Sequence, residues 1–173
     1  LVIGVVTSVG NDETTFVEVG ETKTLMSRKN RIKDEKFKVG DTIKALIRSV
    51  HFDKRLGIKI ELTRTSPKFL EALLKAGIPE IKEGSVIIQN SARIPGKKAK
   101  VAFFSTSPNV DAVGTAVGVK GVRINAVSKE LNGENIDAIE YSADPAIFVA
   151  RALSPARIIS VKIEDKKAVV MID

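Results

Sequence analysis

Apolar and polar positions alternate in five short runs over the first 63 residues, the period of half-buried strands. Val2 to Val9 is rich in β-branched residues and ends at Gly10-Asn11-Asp12. Thr14 to Val19 follows, with Val17 and Val19 on one face and Phe16 and Glu18 on the other. Gly20-Glu21 predicts a tight turn into Thr22–Met26. A polar, basic stretch runs from Ser27 to Lys38. Ile43, Ala45 and Ile47 then alternate with Lys44, Leu46 and Arg48. A turn near Asp53-Lys54 leads to Leu56, Ile58, Ile60 and Leu62. Five short strands in about sixty residues cannot make a large open sheet. A small closed barrel buries their apolar faces and leaves few edges.

From residue 64 the period becomes helical. Ser66 suits an N-cap and Pro67 the first helical position. Phe69, Leu70, Leu73 and Leu74 form one apolar stripe, and Gly77 stops the helix. Pro79 to Gly84 is a short helical turn at most. Val86–Ile94 and Ala99–Phe103 alternate as strands, joined by a hairpin at Pro95-Gly96-Lys97. Asp111 is placed to cap a short helix through Val117. Gly118-Val119-Lys120-Gly121 interrupts it. A second helix carries Ile124, Val127 and Leu131 and ends at Asn132-Gly133. Ile136–Tyr141 is another strand. Asp144-Pro145 opens a further helix, closed by Ser154-Pro155. Ile159, Val161 and Ile163, then Ala168, Val170 and Ile172, alternate about a turn at Asp165-Lys166. Helix, strand and strand thus recur, and the chain stops where the next helices should begin.

Composition narrows the chemistry. The 173 residues carry 28 Lys and Arg against 21 Asp and Glu, a formal charge of +7. Residues 1–63 and 64–153 each hold 12 basic and 9 acidic groups, so no block is a basic tail. A positive charge spread in this way fits a folded module that binds a polyanion. It also fits an ordinary basic protein. With no cysteine, disulfides, thiolate metal sites and Cys nucleophiles are excluded. His51 is the single histidine, and it reads as an exposed loop residue. No apolar run approaches the ~20 residues that cross a membrane, and no signal peptide is visible at Leu1. The start without Met, inside a strand pattern, reads as a fragment of a cytoplasmic protein. No cofactor or metal site is indicated.

The Gly118-Val119-Lys120-Gly121 loop is the leading candidate for function. Two glycines three apart let another backbone approach without a Cβ in the way. The helix beginning at Gly121 turns unpaired N–H groups toward the loop, where they favour phosphate. Lys120 adds charge, and Arg123 lies one step inside the helix. The structural alternative is a helix–turn–helix corner that uses glycine for close packing. Arg93, Lys97, Lys98 and Lys100 surround the hairpin turn, either as a solvated tip or as groups that track a backbone. Phe16 either stacks on a base or packs under the Ser27–Lys38 loop.

The order of the first five strands resembles the S1 domain, an RNA-binding variant of the OB-fold. Gly4-Val5-Val6-x-x-Val9, Phe16-Val17-Glu18-Val19, Val39–Ala45 and Ile58–Arg64 carry the likeness. In place of the S1 family's aromatic pair, His and basic groups, this chain matches only Phe16, with Asp53 and Arg55 fitting the loop before the last strand. Leu25 or Met26 stands near the usual His. Helix, strand, strand, helix, GxxG, helix and strand resemble a KH domain of the bacterial (type II) topology. Across nearly all 173 residues the chain is similar to the NusA family of bacterial transcription factors. The runs Glu61–Leu70, Ile78–Ile81, Ala92–Ala102, Gly114–Arg123, Glu130–Asp137 and Ala152–Ala156 carry that resemblance. Ile94 replaces the family's usual Glu in the hairpin turn, and Tyr141 stands where Trp is common.

The resemblance implies an S1-like OB-fold barrel over 1–63, a first KH domain over 64–143 and the beginning of a second, truncated KH domain over 144–173. It implies a non-enzymatic, monomeric RNA-binding region that contacts single-stranded nascent RNA and influences pausing, termination and antitermination. RNA polymerase would be contacted chiefly through a family domain absent from this chain. The implied RNA-binding residues are Gly118, Val119, Lys120, Gly121, Arg123 and Ile124. Arg93, Lys97, Lys98 and Lys100 join them at the hairpin, and Phe16 and Arg55 on the barrel. Two readings compete. One is the RNA-binding module of an exonuclease assembly. The other is a nucleotide-holding enzyme, which the loop disfavours because it lacks the Gly-x-x-x-x-Gly-Lys-Ser/Thr pattern.

Overall fold

The alternating runs of the first 63 residues become five strands, and a computed structural model describes the whole chain, residues 1–173. They are β1 (Val2–Val9), β2 (Thr15–Val19), β3 (Thr22–Met26), β4 (Thr42–Asp53) and β5 (Gly57–Thr63). These close into a barrel in the order β1-β2-β3-β5-β4. Its core is small: Val6, Val17, Met26, Ile43, Ala45 and Leu62. The expected alternation holds at the base of the β4–β5 hairpin and fails further out. Ile47, Leu56 and Ile58 are exposed, as are Val50 and Phe52. The reason is pairing. β4 meets β1 only over Thr42–Ala45, and β5 meets β3 only at Glu61. Beyond those contacts the hairpin pairs with itself alone and runs past the barrel.

The helical period of the next stretch gives α1 (Pro67–Gly77), α2 (Pro79–Glu83), β6 (Val86–Ile94), β7 (Lys98–Ser105), α3 (Ala112–Val117), α4 (Val122–Glu130) and β8 (Asn135–Glu140). The Ser66 hydroxyl accepts from Lys68 N and caps α1 as its sequence suggests. Asp111 stands at the N-cap of α3 without a capping bond from its side chain. The sheet runs β6-β7-β8, with β6 and β7 antiparallel and β7 and β8 parallel. α1 packs on β6 and α4, while α3 packs on β7 and β8. Phe69, Leu70, Leu73, Leu74, Val101, Phe103, Val127 and Leu131 fill the larger core. Ile32, from the polar stretch after β3, is fully buried in this second core rather than in the barrel. The two halves therefore share an apolar seam.

Buried charge reinforces that seam. Arg64 has its side chain 4% exposed beside Glu35. It donates Nη2 to Glu35 Oε1 at 2.7 Å, Nη1 to Lys44 O at 2.6 Å, Nη1 to Glu130 Oε1 at 3.0 Å and Nη2 to Glu130 O at 2.7 Å. Burial alone disfavours the charged guanidinium, but the bonds to Glu35 and Glu130 outweigh it and hold the pKa above its ordinary value. Phe37 and Phe69 lie 5.7 and 5.2 Å from the Arg64 guanidinium. One strand of the barrel, the loop before it and the end of α4 thus meet at a single side chain.

The last segment comprises α5 (Pro145–Ala152), β9 (Ile158–Glu164) and β10 (Lys167–Ile172). Asp144 caps α5 by accepting from Ala146 N at 2.9 Å. β9 and β10 pair only with each other. Tyr141 meets Phe148 edge-on at 5.2 Å and holds α5 against the end of β8. Ile159, Val169 and Met171 remain exposed. No helix is long and apolar enough to cross a membrane.

Candidate nucleic-acid interface

The interrupted helix pair produces a sharp loop, because three of its four residues take left-handed backbone. Gly118, Lys120 and Gly121 have φ of +78°, +53° and +75°. Gly118 N donates to Gly114 O, and Gly121 N donates to Gly118 O, each at 3.0 Å. A Cβ on Gly118 would stand 2.9 Å from Arg123 Cγ. One glycine therefore serves both conformation and close packing. Val119 is 80% exposed at the loop crest, and Lys120 is exposed beside it. Gly121 is the N-cap of α4, and no side chain caps that helix. The positive end of its dipole therefore faces the loop, while Gly121 N and Val122 N are already bonded to Gly118 O and Val119 O. The arrangement can attract an anion to the loop, with Lys120 as an exposed counter-charge.

The remaining site residues proposed from sequence divide. Arg123 points beneath the loop, where Nη1 donates to Glu80 Oε2 at 2.8 Å and to Thr115 O at 3.0 Å. It braces the loop from behind. Glu80 is held below the ordinary carboxylate range by a hydrogen bond from its own backbone amide and then by Arg123. Ile124 is 9% exposed and belongs to the core, so it is corrected from a contact residue to a packing residue. The helical period places it on the same face as Val127, which is turned inward.

Arg93 is the largest correction. Its side chain and that of Glu134 are both 0% exposed. Nε lies 3.1 and 3.2 Å from the two Glu134 oxygens, and Nη2 lies 2.8 Å from Oε1. Nη1 donates to Arg64 O at 2.9 Å and to Ser66 O at 3.0 Å. Glu134 Oε1 also accepts Gly96 N at 2.7 Å. The Arg93 side chain is thus a buried tie between the hairpin and the start of α1, with none of its guanidinium exposed to a ligand. One side of the hairpin turn packs on Ile32, whose Cγ2 a Cβ on Gly96 would meet at 2.6 Å, while Lys97 and Lys98 stay exposed. Lys98 and Lys100 lie 3.9 and 3.8 Å from Asp137, and Lys100 Nζ donates to Ser154 O. Lys97 is exposed with no acidic partner.

On the barrel, Phe16 is 40% exposed on the outer face of β2, while Phe37, within the Ser27–Lys38 loop, packs on the barrel core. Arg55 is exposed in the β4–β5 turn, where Asp53 Oδ1 accepts from Arg55 N and Leu56 N. β3 stands between the strand of Phe16 and the hairpin of Arg55. Gly118–Gly121 and Arg123 thus belong to one loop, Phe16 and Arg55 to the barrel, and Lys97, Lys98 and Lys100 to the β6–β7 hairpin. Sequence reasoning missed the Arg64–Glu35–Glu130 and Arg93–Glu134 ties. Glu35 and Glu134 lie in loops 29 and 41 residues from their arginines, beyond the reach of local pattern.

Comparison with known proteins gives these elements relatives. Residues 64–141 match the model of the NusA-like first KH domain. Transcription termination/antitermination protein NusA of Helicobacter pylori strain 26695 is 51% identical over 165 residues, covering 95% of this chain and 42% of that protein. The Thermus thermophilus protein of the same name is 44% identical over 167 residues, 95% of this chain and 43% of its own length. That of Bacillus subtilis is 37% identical over 158 residues, 91% and 42% of the two lengths. This chain therefore spans about two-fifths of the length of these relatives and, over that span, is similar to the NusA proteins, with a NusA-like first KH domain at residues 64–141.

Proposed function

We propose that the chain is the RNA-binding region of a bacterial transcription factor acting in termination and antitermination. The loop at Gly118–Gly121 carries the reading. It offers a free, exposed lysine and an exposed valine at the start of an uncapped helix whose dipole favours an anion. Such a loop clamps the backbone of single-stranded RNA, while neighbouring surface discriminates bases by their edges. The name borne by the relatives supports transcription as the setting. In this reading residues 1–63 are an S1-like OB-fold, 64–143 a first KH domain of type II topology and 144–173 the opening of a second. The ligand is nascent RNA, the region acts as a monomer in the cytoplasm by binding and not by catalysis, and RNA polymerase is engaged chiefly through sequence outside these residues.

Replacing Val119 and Lys120 with Asp keeps both glycines and sets two negative charges against the phosphates. Affinity for single-stranded RNA, read by fluorescence anisotropy, is expected to fall at least about tenfold, one such factor being about 1.4 kcal/mol. The melting temperature should stay near the parent value, since neither side chain is buried. Unchanged RNA affinity would refute the reading of the loop. The parent should also lose affinity with salt at a log–log slope of about −0.7 per phosphate contacted.

A further inference from the structure

The barrel holds a second anionic niche, on the side of the Ser27–Lys36 loop. An open cavity of about 720 Å³ lies there between the β1–β2 turn and that loop, and none of its lining residues is apolar. Arg28, Lys29, Arg31, Lys33 and Lys36 line it, and so do Asp12, Asp34 and two glutamates. Glu13 reaches in and bridges two of them: Oε2 lies 2.8 Å from Arg28 Nε, and Oε1 lies 3.1 Å from Arg31 Nη2. Lys29, Lys33 and Lys36 make no ion pair. Glu35 also lines the cavity and is paired with Arg64.

The bridge is incomplete. The Arg31 side chain is only 11% exposed, and its Nε–H is buried with no acceptor. A carboxylate has two oxygens, and each is already used by one guanidinium. A phosphate group has more acceptor oxygens in tetrahedral array, and it pairs with an arginine fork through two donors at once. Glu13 also holds φ of +62°, a backbone region that side chains rarely adopt.

We propose that Arg28 and Arg31 form a phosphate site which Glu13 occupies in the free protein and yields to a phosphate group. The phosphate is that of a bound RNA strand, so this inference rests on the RNA reading above. The alternative source of the same chemistry is a free phosphate compound.

Replacement of Glu13 by Gly separates a site from a mere surface ion pair. Glycine accepts the left-handed backbone, so folding should be preserved. With the site vacated, the affinity of the whole chain for an oligouridylate of about a dozen nucleotides should rise three- to tenfold, roughly one charge-assisted contact. The salt slope should steepen by about 0.7. Arg28→Gln should weaken the same binding. The Arg31 Nε–H resonance, followed by NMR, should move on addition of the oligouridylate. If it moves with inorganic phosphate alone, and Glu13→Gly tightens phosphate but not RNA, the site stands with a small-molecule ligand. If the parent binds no RNA, and neither probe moves Arg31, both readings fail. If the parent binds RNA while Arg31 and the Glu13→Gly affinities stay unchanged for both probes, the phosphate site alone is refuted.

Discussion

Arg93→Met tests the buried tie at the hairpin. The substitution keeps an unbranched chain of similar length and removes a guanidinium that makes bonds to Glu134, Arg64 O and Ser66 O. Glu134 would then keep a single donor, Gly96 N, for a carboxylate with no exposure at all. Breaking one side of a buried pair costs about 3–5 kcal/mol, mostly the desolvation of the charge left behind. The two carbonyls that lose Nη1 add about 1 kcal/mol if water cannot reach them. About 4 kcal/mol is a large part of the total stability of a small domain, about 5–15 kcal/mol. Urea unfolding followed by circular dichroism reads this as a lower midpoint at unchanged slope. Adding Glu134→Gln to Arg93→Met removes the orphaned charge, so the double variant should recover about 1–2 kcal/mol relative to Arg93→Met. A loss under about 1 kcal/mol for Arg93→Met, or no recovery in the double variant, would refute the assignment of Arg93 to the fold and reopen it as a surface group.

Three further outcomes follow from the geometry. Gly4→Ala would bring a Cβ to 2.6 Å from Val17 Cγ1 and 2.8 Å from Glu18 O, so barrel stability should drop by about 1–3 kcal/mol in urea melts. Burial pushes Glu61 up, but Ser27, Arg48 and Asn30 pull harder and leave its pKa below 4.5. Its stabilisation is therefore complete above pH 4.5 and lost as pH falls through the lowered value, so Glu61→Gln should flatten the decline in melting temperature below about pH 4.5. Amide exchange should be fastest in β9 and β10, a two-stranded sheet with exposed Ile159, Val169 and Met171; protection equal to that of β7 would count against this.

Local pattern carried most of the fold. The α1 cap, the apolar stripe of Phe69 to Leu74, the hairpin at Gly96 and the interrupted helix at Gly118 are all written in residues a few places apart. Period and turn chemistry suffice for such features. What alternation could not supply was which stretch of a strand has neighbours. Leu56 and Ile58 alternate as regularly as Ile60 and Leu62, yet only the latter pair lies where β3 closes the barrel. The candidate loop was legible for the same local reason. The roles of Arg93, Arg123 and Ile124 were not, because each depends on a partner or packing face set by the tertiary fold, such as Glu134, 41 residues from Arg93, or Glu80, 43 residues from Arg123. A basic residue near a glycine-rich turn reads the same whether its counter-ion is a phosphate or a glutamate of its own chain.

The clasp of Arg64 on Glu130 turns α4 into a gear of set phase. The loop sits at one end of this nine-residue rod and the clasp at the other, about 13 Å away along the axis at 1.5 Å per residue. Arg64 grips both the side chain and the carbonyl of Glu130, which resists slipping and spinning alike. One residue inserted in the middle of α4 would rotate the loop by about 100° relative to the barrel, leaving its local conformation intact but aiming it elsewhere. The direction in which the loop faces is therefore a property of helix length, encoded by residues that never touch whatever the loop receives.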